Sequence, residues 1–384
     1  MGQYISTLEN RHYTAVESTY GTTPVITGAN RFLAAGVQIR QEHAQPARRD
    51  KSGSRSVNAI GGALRRSTKF AVKSYLTARS SGSVAPAQGV LLECAMGGEP
   101  RVFAGGNIDS MISPTRMRLT AAHGLSVGQG VAFGGEIRFV TGVVDTITID
   151  ISSEFSIVPS NGSVAGGTVS YGLGRRLKSM SLFDYWSPDS ALQRIARGAV
   201  VDRMKVELNG DLHEMEFRGE ASDVTNSASQ VSGFPVEPAL SAFNERLVAG
   251  HLGQAWLGSG LERFFTISGA SILLENGVDM RNREFGSAIP LGYAAGKRAV
   301  TMRLALYGKD DAATTALYGA AADRQSVPVM MQLGDRPGEM MGIHMPHVIP
   351  SIPEFDDKET RLQWQFDGCL AHGGLEDEMY ISFG

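Results

Sequence analysis

Cysteine is nearly absent: Cys94 and Cys369 are the only two in 384 residues, too few for a disulfide framework. Each sits among apolar neighbours, LLECAM and FDGCLAH, which predicts buried free thiols in a reducing compartment. Long hydrophobic runs are missing as well. A membrane span needs roughly 18 apolar residues, and the nearest approach, 264–274, is broken by Ser and Gly. The N-terminus is polar, so no secretory leader is expected. Nor does one sign of charge dominate. With 36 Lys and Arg against 39 Asp and Glu, the net charge of −3 offers no basic field for gripping nucleic acid.

Catalytic signatures are equally scarce. The chain has no P-loop, dinucleotide fingerprint, nucleophile elbow or zinc-protease helix. His344-Met345-Pro346-His347 has a metal-like spacing, but its proline breaks a helix, and a turn at a strand end is predicted instead. His213-Glu214-Met215-Glu216 carries half of a deaminase signature and lacks the Pro-Cys-x-x-Cys half, so it reads as strand. Asp310-Asp311 and Asp356-Asp357 are better explained by helix capping and a turn. Trp186, Trp256 and Trp364 fall at alternating positions that suit core or subunit interface. No enzymatic activity, cofactor or metal is expected.

What the chain has in quantity is glycine, 46 residues, and a repeated pattern. Val37 to Gly53 runs parallel to Ala270 to Gly286, aligning Ile39 with Ile272, Glu42 with Glu275, Arg48 with Arg281 and Gly53 with Gly286 at a separation of 233. A second block at 232 aligns Arg66 with Arg298, Phe70 with Met302, Val72 with Leu304 and Tyr75 with Tyr307. A third at 149 aligns Met215 with Trp364, Phe217 with Phe366 and Gly219 with Gly368. The fall from 232 to 149 leaves the first copy with 83 residues that the second lacks, in a Gly-, Val- and Thr-rich stretch after Tyr75. Repetition on this scale indicates a duplicated domain and quasi-symmetric assembly.

Alternating apolar and polar residues place strands near 36–43 and 67–76, separated by a long charged loop over 44–64. The second copy repeats this with a loop over 277–296 before a strand at 299–306. A helix follows in each copy, near 87–96 and 310–321, the latter capped by Asp310 or Asp311. Three closing strands complete each copy, with Asn209-Gly210 as a hairpin turn in the first. The fold class predicted is mainly β with short helices. It comprises two tandem β-sandwich or barrel domains, each with one packed helix, plus a small inserted β-domain. The predicted division is an N-terminal arm (1–31), a first domain (32–100 with 173–225), the insert (101–172), a linker (226–260) and a second domain with its tail (261–384). The insert, present in one copy only, is expected to face outward and to be dispensable.

Three segments carry a family likeness: Glu17 with Tyr20-Gly21-Thr22-Thr23-Pro24; the strand unit ending in Thr68-Lys69-Phe70-Ala71-Val72-Lys73; and Leu362-Gln363-Trp364-Gln365-Phe366-Asp367-Gly368 with the acidic tail and Tyr380-Ile381-Ser382-Phe383. In this order they resemble the tail tube protein, or major tail protein, of long-tailed bacteriophages. The resemblance covers both copies but not the insert. It implies a two-domain variety in which three chains complete a pseudo-sixfold ring, with rings stacked into the tube that conducts the genome. The implied partners are further copies of itself, a tape measure in the lumen, a terminator and distal tail proteins. DNA would pass without specific binding, and no membrane is involved. The protein would reside in the virion tail after assembly in the bacterial host cytoplasm. An outward insert would impede a close sheath, so a non-contractile tail is expected. The charged loops supply candidates for ring-to-ring contact: Arg48, Arg49, Lys51, Arg55, Arg281 and Arg283. Two other readings are a tube-terminating or baseplate hub protein of the same fold, and a β-rich glycan-binding or hydrolytic module. Absent convergent carboxylates and the duplicated long loops count against the last.

Overall fold

The structure, a computed structural model, describes residues 4–44, 51, 53–56, 64–78, 83–186, 192–208, 212–227, 234–240, 245–258 and 260–384. The first copy contributes β1 (Arg11–Val16), β2 (Gly36–His43), β3 (Arg66–Tyr75), α1 (Gly89–Met96), β4 (Met180–Trp186), β5 (Leu192–Leu208) and β6 (Glu214–Ala221). The second contributes β7 (Gln254–Leu257), β8 (Ile267–Glu275), β9 (Ala299–Tyr307), α2 (Ala312–Ala322), β10 (Val327–Leu333), β11 (Met341–Ile349), β12 (Glu354–Asp356), β13 (Gln363–Ala371) and β14 (Tyr380–Phe383). The chain is mainly β, with two tandem copies, a helix in each and a separate inserted sheet. The hairpin signal Asn209-Gly210 lies outside the described residues, although β5 and β6 on either side pair antiparallel.

Alternation dictates the strands. In β3, Thr68, Phe70, Val72 and Ser74 are buried while Lys69, Lys73 and Tyr75 are exposed, so one face joins the core and the other meets solvent. Eight strands form one antiparallel ribbon in the order β2-β3-β6-β5-β8-β9-β13-β12. The two halves agree in register. Ile39 faces Phe70 as Ile272 faces Met302. Phe217 faces Val72 as Phe366 faces Leu304. Val206 faces Met215 as Phe355 faces Trp364. A one-residue slip would turn every apolar side chain outward, and a single core running through both copies keeps that from happening.

An outer layer backs the ribbon. β5 is 17 residues long, and its first half pairs with β4 before its second half enters the ribbon. The transition is a β-bulge in which Met180 and Leu182 face Ala199 and Ala196. The second copy repeats the bulge, with Val327 and Val329 facing Val348 and Met345. Its anchoring differs. In the first copy Gly198 takes φ +62 and donates its N–H to Glu17 Oε1 at 2.7 Å. Glu17 also accepts from Ser181 Oγ at 2.7 Å, Ser179 Oγ at 2.8 Å and the Gly21 N–H at 2.7 Å. In the second copy the bulge holds Pro346, which needs no N–H partner. His344-Met345-Pro346-His347 is therefore not a turn at a strand end; it lies within β11 at its bulge.

Part of the segment predicted as an arm, 1–31, is built into the sheet. β1 is buried and pairs with β4 along its whole length. Its polar side chains concealed this from pattern reading. Arg11 is neutralised by Glu237 at 2.5 Å, and His12 lies 3.5 Å from the buried Asp184. Likewise β7, within the predicted linker 226–260, pairs with β10 of the second copy.

The insert's own six-stranded sheet runs from Gly106–Ser113 to Val164–Ala165, around a core that includes Ile108, Met117, Val140 and Ile149. The flanking strands Arg101–Phe103 and Thr168–Gly172 belong instead to the large sheet. The second of them pairs with β14, which also pairs with β11, so the last strand ties the two copies together. The insert is no loose decoration. Ile137 and Phe139 join Trp256, Met330, Met340 and Tyr380 in a shared cluster. Buried Gln332 accepts from the Ile137 N–H at 2.9 Å and donates to the Gly135 carbonyl at 2.8 Å. Arg138, 1% exposed, sits over Trp256 and Phe155 with its charge met by Glu136 at 3.0 Å. Removing the insert would uncover this apolar seam, a cost that the expectation of a dispensable insert does not include.

Candidate assembly edges

The ribbon ends in two edges that carry no further strand among the described residues: the outer side of β2 and the outer side of β12. Exposed sheet edges invite pairing, and the chain itself contains a filled example. Where the copies meet, β5 pairs with β8, setting Lys205 opposite Leu273, Val206 opposite Ile272 and Glu207 opposite Ser271. Val206 and Ile272 are both fully buried there. At the open edge the equivalent of Val206 is Phe355, which is 57% exposed. Phe355 stacks on Trp364 at 5.5 Å, and Tyr318 of α2 closes an aromatic group around them. Ile352 and Leu362, also exposed, extend the apolar surface beside it. These edge residues escaped the sequence reading, although the separation of 149 that aligns Phe217 with Phe366 also sets Val206 on Phe355.

The solvent-facing side of the ribbon differs between the copies. In the first copy it forms a hollow of about 590 Å³ lined by Arg40, Lys73, Arg203, Glu216, Arg218 and Glu220 among others. Several cations on this side are balanced within the sheet: Arg40 with Glu42 at 2.9 Å, Lys205 with Glu207 at 2.6 Å, Arg218 with Glu216 at 2.8 Å, and Arg203 with Glu275 across the copy junction. Partial burial pushes the Glu220 carboxyl above its ordinary value. In the second copy the same face presents Ser271, Leu273, Thr301, Ala305, Gln363 and Gln365, with Arg303 paired to Asp367 at 2.7 Å.

Arg48 and Arg49 lie outside the described residues, and Lys51 and Arg55 are exposed. Arg281 is exposed and ion-paired with Glu284 of its own loop. Arg283 is exposed, and its carbonyl accepts from Arg65 Nη2 at 3.3 Å. The second loop is anchored on the first copy by more than this. The Arg66 N–H donates to the Ala288 carbonyl at 2.7 Å, Ser222 Oγ to the Pro290 carbonyl at 2.7 Å, and the Tyr293 hydroxyl to the Leu177 carbonyl at 2.7 Å.

Other sequence candidates take structural places. Asp311 caps α2, accepting from the Thr314 N–H at 2.8 Å, and hydrogen bonding from the Thr314 side chain, with that N–H, holds its carboxyl below the ordinary range. Asp356 belongs to β12. Glu214–Glu216 lies in β6. Trp256 packs in the insert seam and Trp364 against the main core. Both thiols are buried, and burial raises their pKa values. Among the described residues no three His, Cys, Asp or Glu side chains gather as a metal site requires, and no helix is long and apolar enough to cross a membrane.

A family model described as Phage tail tube protein matches residues 9–346. No match was found among curated proteins. The family match spans most of the sequence. The chain belongs to the phage tail tube protein family.

Proposed function

We infer that this protein polymerises as stacked rings to form the tail tube through which genome DNA is ejected. Two tube domains, 32–100 with 173–225 and 261–384, stand in for two subunits of a ring, so that three chains supply six domains. The observation that carries this reading is the pair of open edges on β2 and β12, which duplicate the two sides of the filled β5–β8 junction. Closing the ribbon into a barrel buries both edges and leaves no template for uncontrolled pairing. The solvent-facing side of the ribbon then becomes the lumen. Pairing of several of its cations with neighbouring carboxylates supports a wall that lets DNA pass without gripping it, since each unpaired cation against phosphate would add affinity.

Rings stack through the charged loops, with Arg48, Arg49, Lys51, Arg55, Arg281 and Arg283 as the contact candidates. The remaining partners are a tape measure inside the lumen, a terminator and distal tail proteins. Assembly takes place in the host cytoplasm, and the tail is non-contractile. Electron microscopy of the purified protein tests this. Long uniform tubes are expected. Single rings that never stack would favour a terminator or hub role, and dispersed monomers would refute assembly by these edges.

A further inference from the structure

We propose that neighbouring chains join β2 of one to β12 of the next in the register of the internal β5–β8 junction, with Arg40 opposite Glu354, Ile39 opposite Phe355 and Gln38 opposite Asp356. This rests on the ring reading above and specifies its contact.

The register is fixed by two superpositions. Lys205, Val206 and Glu207 of β5 face Glu216, Met215 and Glu214 of β6, just as Glu354, Phe355 and Asp356 of β12 face Gln365, Trp364 and Gln363 of β13. Leu273, Ile272 and Ser271 of β8 face Thr301, Met302 and Arg303 of β9, just as Arg40, Ile39 and Gln38 of β2 face Lys69, Phe70 and Ala71 of β3. Inside the chain, Lys205, Val206 and Glu207 meet Leu273, Ile272 and Ser271. Substituting the equivalents gives the three intermolecular pairs directly.

The chemistry of those pairs fits. Phe355, 57% exposed, and the half-buried Ile39 would bury each other as Val206 and Ile272 do. Arg40, 80% exposed along its side chain, meets a carboxylate on the lumen face. Gln38 meets the Asp356 carboxylate as an amide donor. A slip of one residue would set Phe355 against Arg40 or Gln38 and reverse the faces of β12 relative to its neighbour. A slip of two residues would keep the faces and lose the Arg40–Glu354 match.

Cysteine pairs in the full chain test the register, and the buried Cys94 and Cys369 keep the background low. Directly opposite residues have Cβ atoms about 4.5–5.5 Å apart, against about 7–8 Å for diagonal neighbours, and a disulfide needs the shorter approach. Under mild oxidation of assembled rings, Gln38→Cys with Asp356→Cys should yield chains linked into covalent dimers and trimers. The pair slipped by two, Gln38→Cys with Glu354→Cys, should link at least several-fold less. Independently, Arg40→Glu should impair ring closure, and adding Glu354→Arg should restore it. Rings that form normally yet link better through the slipped pair, or ignore the charge exchange, would overturn the register and leave the tube reading standing. An unmodified chain that forms no rings would instead overturn the tube reading.

Discussion

Val206 and Phe355 occupy the same place in the two copies, yet one is fully buried and the other 57% exposed. The backbone around them is alike: each faces its inner neighbour in matching register, and each follows a bulge, within β5 itself for Val206 and in the preceding β11 for Phe355. The difference comes from the next strand. Val206 has β8 beside it, whereas Phe355 has no strand on that side among the described residues. Duplication has therefore preserved the geometry of joining while leaving one joint filled and one open. The faces diverged more freely. The first copy presents dense charge of both signs, the second mostly neutral polar groups, so a ring of three chains would carry threefold rather than sixfold chemistry along its wall.

The sharpest way to break the comparison is to place the same charge at both joints. Val206→Asp buries an unpaired carboxylate in a filled junction, and urea denaturation should show a chain that no longer folds. Phe355→Asp at the exposed equivalent loses the stacking on Trp364 and Tyr318, which should lower monomer stability by only about 0.5–1.5 kcal/mol, and should still prevent ring formation, as read by size-exclusion chromatography. If both variants unfold alike, the open edge is not a surface at all.

Next in size is the seam where the insert grips the second copy. Arg138→Ala would leave Glu136 buried without its cation and strip the stacking from Trp256. A loss of about 3–5 kcal/mol is expected in chemical denaturation. A near-neutral result would show that Arg138 does not hold the insert to the second copy.

Each copy also buries a histidine in its outer layer. Burial pushes His344 down to about 4 despite the Val329 carbonyl beside it, and burial lowers His12 against the pull of Asp184. The folded state thus binds fewer protons than the unfolded state between about pH 4 and the ordinary histidine range. Stability should be full above about pH 6.5 and fall as the pH drops towards 4, by up to about 1.4 kcal/mol per pH unit for each histidine. Melting temperature against pH checks this. His344→Gln should flatten the curve; an unchanged curve would assign the acid sensitivity to other groups.

Smaller effects should separate the two bulges. Glu17→Ala removes the acceptor of four donors in the first copy, with a cost of about 1–3 kcal/mol. Pro346→Ala at the matching bulge should cost only about 0.4–1 kcal/mol, through the freer unfolded chain. Equal costs in thermal melts would mean that the bulges are held in the same way.

Much of this fold was legible in the sequence because alternation and repetition are local signals. The strands around Phe70, Val72, Met302 and Leu304 declare themselves by period two, and Asp311 by its place before α2. β1 stayed hidden because its buried Arg11 and His12 look like surface residues until Glu237 and Asp184 are brought to them from far along the chain. The insert seam was hidden for a related reason: Ile137, Gln332 and Trp256 are remote in sequence and meet only in three dimensions. Of the assembly site, the loops were visible as charge, whereas the edges are defined by a missing neighbour, which a single chain's residue pattern does not record.

The mass of the closed ring tests the central claim most directly. Native mass spectrometry of isolated rings should give three times the 41.0 kDa of the chain, with class averages showing alternating densities around a pseudo-sixfold ring. A ring of six chains would contradict the account, because the two copies would then not be standing in for two subunits.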